Sequence, residues 1–119
     1  MTPDELRARA KSFALRVVKL YRSLPRSADA QVMGKQLLRC GTSVAANYRA
    51  SCRARSRAEF AARIGIGAEE ADESGFWLEM LAEADSAHGI AEGSVERVER
   101  ANGYLYIDAA VDSETKLRQ

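Results

Sequence analysis

The sequence predicts an all-α protein built as an up-down antiparallel four-helix bundle. Apolar residues recur every three or four positions in four successive stretches, the period of an amphipathic helix. Only two prolines, Pro3 and Pro25, interrupt the 119 residues, and no stretch alternates with the period of two that marks a strand. Short loops between the stretches favour antiparallel packing of neighbours. We expect a single domain over residues 1–119, with helices at about 3–24, 28–53, 57–87 and 93–112.

The first helix has a clear start and a clear end. Thr2 can cap it, Pro3 suits the first helical position, and Glu5 completes a T-x-x-E capping box. Pro25 ends it, because the residue before a proline is driven out of the helical region. The expected core stripe is Leu6, Ala10, Phe13, Val17, Leu20 or Tyr21, and Leu24.

The second helix is expected to begin near Ser27 or Asp29, either of which can cap it. Gly34 and Gly41 each weaken a helix by about 1 kcal/mol relative to alanine. Such a cost is tolerated where a neighbouring backbone comes close. The expected core stripe is Met33, Leu37, Cys40 or Gly41, Val44 and Tyr48.

The third helix begins at a second capping-box pattern, in which Ser56 is followed three residues later by Glu59. His88 and Gly89 form a suitable stop. Its expected stripe is Phe60, Ile64, Gly67 or Ala68, Ala71, Gly75, Leu78, and Leu81 or Ala82. The fourth helix uses Val95, Val98, Leu105, Ile107 and Val111, and the pair Asn102-Gly103 can kink it.

Charge is divided sharply along the chain. Residues 1–63 carry 14 Lys and Arg against 4 Asp and Glu, a balance of +10. Residues 64–119 carry 4 against 13, a balance of −9, so the net charge of +1 hides two opposed halves. Such a chain either presents a basic surface that can hold a polyanion, or pairs its halves within or between subunits.

Arginines are densest around the end of the second helix and the start of the third. Arginine forks match phosphate geometry, and the release of counterions favours binding to a nucleic-acid backbone. The alternative is that these arginines pair with the carboxylates of residues 69–73, on the same chain or a neighbouring one. The candidate nucleic-acid contacts are Arg39, Arg49, Arg53, Arg55, Arg57 and Arg63.

The sequence offers no arrangement typical of catalysis or of a metal centre. Glu69, Asp72 and Glu73 fall on one helical face, but di-iron sites in bundles need Glu-x-x-His motifs, and His88 is the one histidine. No nucleophile is arranged with a base. We therefore expect neither an enzyme nor a cofactor.

Two further features concern location and assembly. Cys40 and Cys52 form no CxxC motif, and no signal peptide or membrane-spanning run is seen, so we expect reduced thiols, a cytoplasmic protein and no membrane partner. Large aromatic side chains are enriched at subunit interfaces. The candidate interface residues are Phe76, Trp77, Tyr104 and Tyr106.

An ordered series of short motifs covers the second and third helices. It reads QLLR at 36–39, SVAANYRA at 43–50, CRARSRAEF at 52–60, IGI at 64–66, EEADES at 69–74 and FWLE at 76–79. This series closely resembles the four-helix bundle protein family, also called the 23S rRNA intervening-sequence proteins. That family is related to the accessory variability determinant of diversity-generating retroelements.

The resemblance implies a small up-down bundle that assembles into a ring, typically a homopentamer. The retroelement relative binds nucleic acid and a reverse transcriptase through its basic surface. For this chain the expectation is a non-enzymatic oligomeric accessory protein that binds RNA or DNA, or a ribonucleoprotein, and that has a nucleic-acid-processing protein as a further partner. The alternative is a protein-interaction scaffold whose opposed charges serve assembly, without nucleic acid.

Overall fold

The structure, a computed structural model, describes residues 2–84 and 95–100, and within these ranges it contains helices and no strand. Three helices have defined ends: α1 spans Pro3–Ser23, α2 spans Ala28–Ser51 and α3 spans Arg57–Glu83. Residues 95–100 are also helical, while the remainder of the expected fourth helix lies outside the described residues. The all-α prediction is therefore confirmed. No helix in the described ranges is both long and apolar enough to span a membrane.

The start of α1 is held as the capping pattern predicts. The Thr2 hydroxyl accepts a hydrogen bond from the Glu5 N–H at 3.1 Å, and the Glu5 carboxylate accepts one from the Thr2 N–H at 3.1 Å. Both halves of the capping box are present, so two backbone donors that a helix start leaves unpaired are satisfied. At α2, Ser27 occupies the cap position, but its side chain makes no capping hydrogen bond.

α1 and α2 run antiparallel. Gly34 lies beside Tyr21 and Leu24, near the end of α1, while Gly41, later in α2, lies beside Val17, earlier in α1. Later residues of α2 contact earlier residues of α1, so the two helices run in opposite directions. The four-residue connection over 24–27 is typical of such a pair.

α3 runs antiparallel to α2 by the same argument. Cys40 meets Ser74 and Asn47 meets Gly67, so the contacts again run in opposite chain order. α2 therefore lies between α1 and α3, which show no close backbone approach to each other in the described structure. The up-down four-helix arrangement that the sequence predicts involves residues outside the described ranges.

The core is one continuous cluster that contains most of the predicted apolar positions that fall within the described residues. Val95 and Val98 belong to it, so the helical segment 95–100 packs on the same core as the other helices. Half-buried Trp77, Phe60 and Leu38 pack against its edge. The buried members are Leu6, Ala10, Phe13, Val17, Leu20, Leu24, Ala30, Met33, Leu37, Val44, Tyr48, Ile64, Ala71, Leu78, Leu81, Val95 and Val98.

The close approach expected at the α2 glycines is present. A Cβ on Gly41 would lie 3.0–3.3 Å from three Val17 side-chain atoms, and one on Gly34 would lie 2.6 Å from Leu24 Cδ1. Val17 is fully buried and branched at Cβ, so it cannot rotate away freely. Gly41 therefore brings α1 and α2 together.

This packing predicts opposite effects for two glycine substitutions. Gly41→Ala should lower the free energy of unfolding by about 1 kcal/mol, because overpacking against Val17 exceeds the gain in helix propensity. Gly65→Ala meets nothing within 4 Å and should raise it by about 0.5–1 kcal/mol. Urea unfolding followed by circular dichroism measures both. Equal stabilisation by the two variants would contradict the close approach.

Candidate nucleic-acid interface

Five of the six predicted arginines lie at one end of the molecule, where α2 passes into α3. Arg49 is on the last turn of α2, Arg53 and Arg55 are on the connecting turn, and Arg57 is the first residue of α3. Arg63 follows less than two turns later. All five are exposed. We call this group, Arg49, Arg53, Arg55, Arg57 and Arg63, the arginine end.

The connecting turn is fixed by local hydrogen bonds. The Ser51 hydroxyl, which is buried, donates to the Tyr48 carbonyl at 2.7 Å. The Arg53 N–H donates to the Ala50 carbonyl at 3.0 Å, and the Ala54 N–H donates to the Ser51 carbonyl at 3.1 Å. These bonds satisfy carbonyls at the end of α2 and hold the backbone of Arg53 in place.

The start of α3 is capped, but not by the full box that the sequence suggests. The Ser56 hydroxyl accepts a hydrogen bond from the Glu59 N–H at 3.0 Å, as expected. The Glu59 carboxylate instead accepts from the Arg55 N–H at 3.0 Å, one residue before the cap. Glu59 thus links the connecting turn to the first turn of α3, because its carboxylate binds the Arg55 N–H and its own N–H binds the Ser56 hydroxyl. It is the one acidic residue between 49 and 63.

The arginine end carries uncompensated positive charge. Among the residues that the structure describes, none of its five arginines forms an ion pair. The acidic run 69–73 begins twelve residues after Arg57 and six after Arg63, about 18 and 9 Å further along α3 at 1.5 Å per residue. Within the described chain, pairing with that run is therefore not the arrangement of these five side chains.

Arg39 is placed differently from the other predicted contacts. Its guanidinium donates to both Glu73 carboxylate oxygens, at 2.8 and 2.9 Å, and lies 3.4 Å from Glu70. For Arg39 the structure therefore shows the alternative that the sequence left open, an ion pair with carboxylates of residues 69–73. This pairing lowers the pKa of Glu73. Because its guanidinium is already engaged, Arg39 is left out of the arginine end.

Cys40, Glu70 and Glu73 form a group that the sequence patterns do not single out. Their ligand atoms lie within 4.8 Å of one another, a spacing that could hold a metal ion. However, the guanidinium of Arg39 occupies both carboxylates, and burial raises the pKa of the Cys40 thiol. The Ser74 hydroxyl lies 3.2 Å from Cys40 Sγ. The group therefore fits an ion-pair network that joins α2 to α3 better than a metal site.

This network predicts a pH dependence of stability. The folded-state pKa of Glu73 is lowered, so its contribution is present above the unfolded value of about 4.3 and is lost as pH falls through the folded value. Glu73→Gln should lower the melting temperature at neutral pH, with a difference that shrinks to zero in acid. Glu69→Gln, at an exposed carboxylate on the same helix, is the control. A difference in melting temperature that persists at acidic pH would contradict the assignment of this pH dependence to Glu73.

The aromatic pair predicted as an interface divides between surface and core. Phe76 is 50% exposed, whereas Trp77 packs against the core, with the two ring centroids 4.9 Å apart. The Trp77 N–H is buried and has no hydrogen-bond partner among the described residues, and its nearness to Glu73 adds a little to the lowering of the Glu73 pKa that Arg39 causes. Tyr104 and Tyr106 lie outside the described residues.

Comparison with known proteins agrees with this helical architecture. The family model described as 23S rRNA-intervening sequence protein matches residues 5–98. A crystal structure at 1.70 Å of a protein with unknown function from the S23 ribosomal protein family of Bacteroides thetaiotaomicron is 31% identical. It covers 96% of this chain and 99% of its own, with a TM-score of 0.85. None of the curated proteins is significantly similar. The family resemblance is thus confirmed, and the chain belongs to the 23S rRNA-intervening sequence protein family.

Proposed function

We propose that this protein is a non-enzymatic, oligomeric accessory protein that binds RNA or a ribonucleoprotein through its arginine end. One observation carries the proposal: five arginines are exposed at one end of the molecule, and none has an ion-pair partner among the described residues. Clustered like charges repel one another, so such a group is stabilised by an anionic partner. A phosphate backbone presents several regularly spaced anions at once.

Arginine chemistry supports phosphate as that partner. The planar guanidinium makes two parallel hydrogen bonds to a phosphate, and each neutralised phosphate releases counterions. The aromatic residues nearest this end offer little surface for stacking on bases, because Tyr48 is buried and Phe60 is half-buried against the core. Contacts to phosphate without base stacking position a nucleic acid but read little sequence. We therefore expect weak sequence specificity.

The names of the related family and protein favour RNA. The matching family is described by the 23S rRNA intervening sequence, and the structural relative is assigned to an S23 ribosomal protein family. By resemblance, the proposal includes an up-down bundle closed by the fourth helix and a ring-shaped homo-oligomer, typically a pentamer. It also includes a cytoplasmic location and a nucleic-acid-processing protein as a further partner.

Fluorescence anisotropy tests the proposal. The purified protein is titrated into a labelled RNA hairpin and, separately, a labelled DNA duplex, each at about 50 and 200 mM salt. Several phosphate contacts should make the affinity fall by orders of magnitude across this range. A tighter complex with the RNA hairpin would support RNA as the ligand. Absence of binding to either probe at low salt would overturn the proposal.

A second candidate function is a protein-interaction scaffold without nucleic acid. The exposed Phe76 on α3 favours it, because half-exposed aromatic side chains mark protein contacts. Charge reversal of the arginine end distinguishes the two candidates. A scaffold that uses these arginines for assembly should lose its oligomeric state in the reversed variant. A nucleic-acid-binding protein should keep it.

A further inference from the structure

The outward side of α3 combines exposed apolar side chains with carboxylates. Phe76 is 50% exposed and Met80, one turn later, is 36% exposed. Glu69 and Asp72 lie seven and four residues before Phe76, and Glu79 and Glu83 lie three and seven residues after it. All four are exposed. At helical spacing these positions share one face, which points away from the core. We call this group of six residues the acidic face.

The outward side of α1 has the same design with the opposite charge. Leu15 is 53% exposed, and Lys11 and Lys19 lie four residues before and after it. Arg22 follows Leu15 by two helical turns, and all three cations are exposed. These four residues, Lys11, Leu15, Lys19 and Arg22, form the basic face. It extends about 16 Å along its helix, against about 21 Å for the acidic face, at 1.5 Å per residue.

Neither face is neutralised by the described part of its own chain. No residue of either face forms an ion pair with a described residue. α1 and α3 pack on α2 and do not approach each other closely, so the two faces of one chain do not meet. The acidic face can meet a basic face of this kind on a second copy.

We infer that the acidic face of α3 in one copy docks on the basic face of α1 in the next copy. Phe76 and Met80 then pack beside Leu15, while carboxylates and cations surround this apolar centre. The contact is head to tail, because it joins different surfaces of the two partners. Each added copy still presents one free face of each sign, so the chain of copies grows until it closes. This inference rests on the oligomer in the proposed function and names the surfaces that form it.

Repulsion among carboxylates at the C-terminal part of the acidic face supports a cationic partner. Burial raises the pKa of Glu99, and its negative neighbours Glu96, Glu79 and Glu83 raise it further. Two of these, Glu79 and Glu83, belong to the acidic face. A lysine or arginine from a neighbouring copy would relieve this repulsion. The exposed apolar residues would contribute in addition, since each loses contact with water on docking.

Charge-reversal variants test the pairing without any nucleic acid present. The first carries Lys11→Glu and Lys19→Glu, so that both its faces are acidic. The second carries Asp72→Lys, Glu79→Lys and Glu83→Lys, which leave one carboxylate and three lysines on the acidic face, so that both its faces are basic. Size-exclusion chromatography with light scattering should show an oligomer for the wild type and a monomer for each variant alone. A chain that carries all five changes should recover the wild-type oligomer. An equimolar mixture of the two variants should recover an oligomer with an even number of subunits, because the two variants must alternate.

A cysteine pair tests the same contact without altering charge. In a Cys52→Ser background, which removes the exposed native thiol, Leu15→Cys and Phe76→Cys are prepared as separate proteins. Mild oxidation of their mixture should give a cross-linked dimer that neither protein forms alone. Cross-linking of Leu15→Cys with itself would show a two-fold contact and overturn the head-to-tail arrangement.

The remaining outcomes also decide the inference. A wild-type protein that is monomeric would overturn it and would favour cover of α3 by another part of the chain or by a different protein. Variants that keep the wild-type mass, or fail to combine when mixed, would overturn it as well. Circular dichroism of each variant confirms that a monomer is folded. Because mass is measured without RNA, failure here leaves RNA binding by the arginine end to be judged separately by anisotropy.

Discussion

Reversal of Arg49 and Arg53 to glutamate should weaken binding of a structured RNA by at least about 100-fold at low salt. The two residues are separated by four positions, and both are exposed at the arginine end. Each charge-assisted hydrogen bond to phosphate is worth about 1.5–3 kcal/mol, so the loss of two gives a change of this size. The new carboxylates add repulsion to the RNA. Anisotropy with a labelled hairpin measures the effect.

A matched control separates this effect from a change in net charge. Arg26→Glu with Lys35→Glu makes the same change in charge at two exposed positions, and Lys35 lies fourteen residues before Arg49, about 21 Å along α2. This variant should bind within a few-fold of the wild type. The Arg49 and Arg53 variant should also keep the oligomer mass. Loss of that mass, or equal weakening in both variants, would favour the scaffold function instead.

Leu37→Ala should lower the free energy of unfolding by about 2–5 kcal/mol, the range for a leucine removed from a tight core. Leu37 is fully buried on α2, the helix that packs against both α1 and α3. The loss is a large part of the roughly 5–15 kcal/mol that stabilises a typical domain. Urea unfolding monitored by circular dichroism measures it, with the slope compared between variants.

Leu38→Ala is the matched control for this substitution. Leu38 is the next residue in the sequence, and its substitution removes the same atoms, but Leu38 is half-buried at the edge of the core. Its loss should be clearly smaller, because less apolar surface leaves contact and the gap can relax or admit water. Equal losses at the two positions would contradict the burial of Leu37 in the core that α2 shares with α1 and α3.

The helices and their buried sides could be predicted because both depend on local chemistry. The expected stripe of α1, from Leu6 to Leu24, coincides with its buried residues, and the capping box of Thr2 and Glu5 forms as the sequence indicates. α3 is defined as far as Glu83, and the stop expected at about 87 lies outside the described residues.

The partner of each charged side chain could not be predicted in the same way. Whether Arg39 or Arg49 meets the acidic run depends on the register between α2 and α3, which tertiary packing sets. In the structure Cys40 meets Ser74, and that register places Arg39 beside Glu73. The pair Phe76 and Trp77 is different, because helical spacing from the predicted core positions Leu78 and Leu81 already assigns Phe76 to the outside.

The salt dependence of RNA binding by alanine variants tests the central claim most directly. The slope of log affinity against log salt counts the phosphates that a protein neutralises, at about 0.7–0.9 for each contact. Arg49→Ala with Arg53→Ala should make this slope shallower by about 1.4 or more, while Arg26→Ala with Lys35→Ala should leave it unchanged. An unaltered slope in the first variant would show that the RNA backbone does not contact the arginine end.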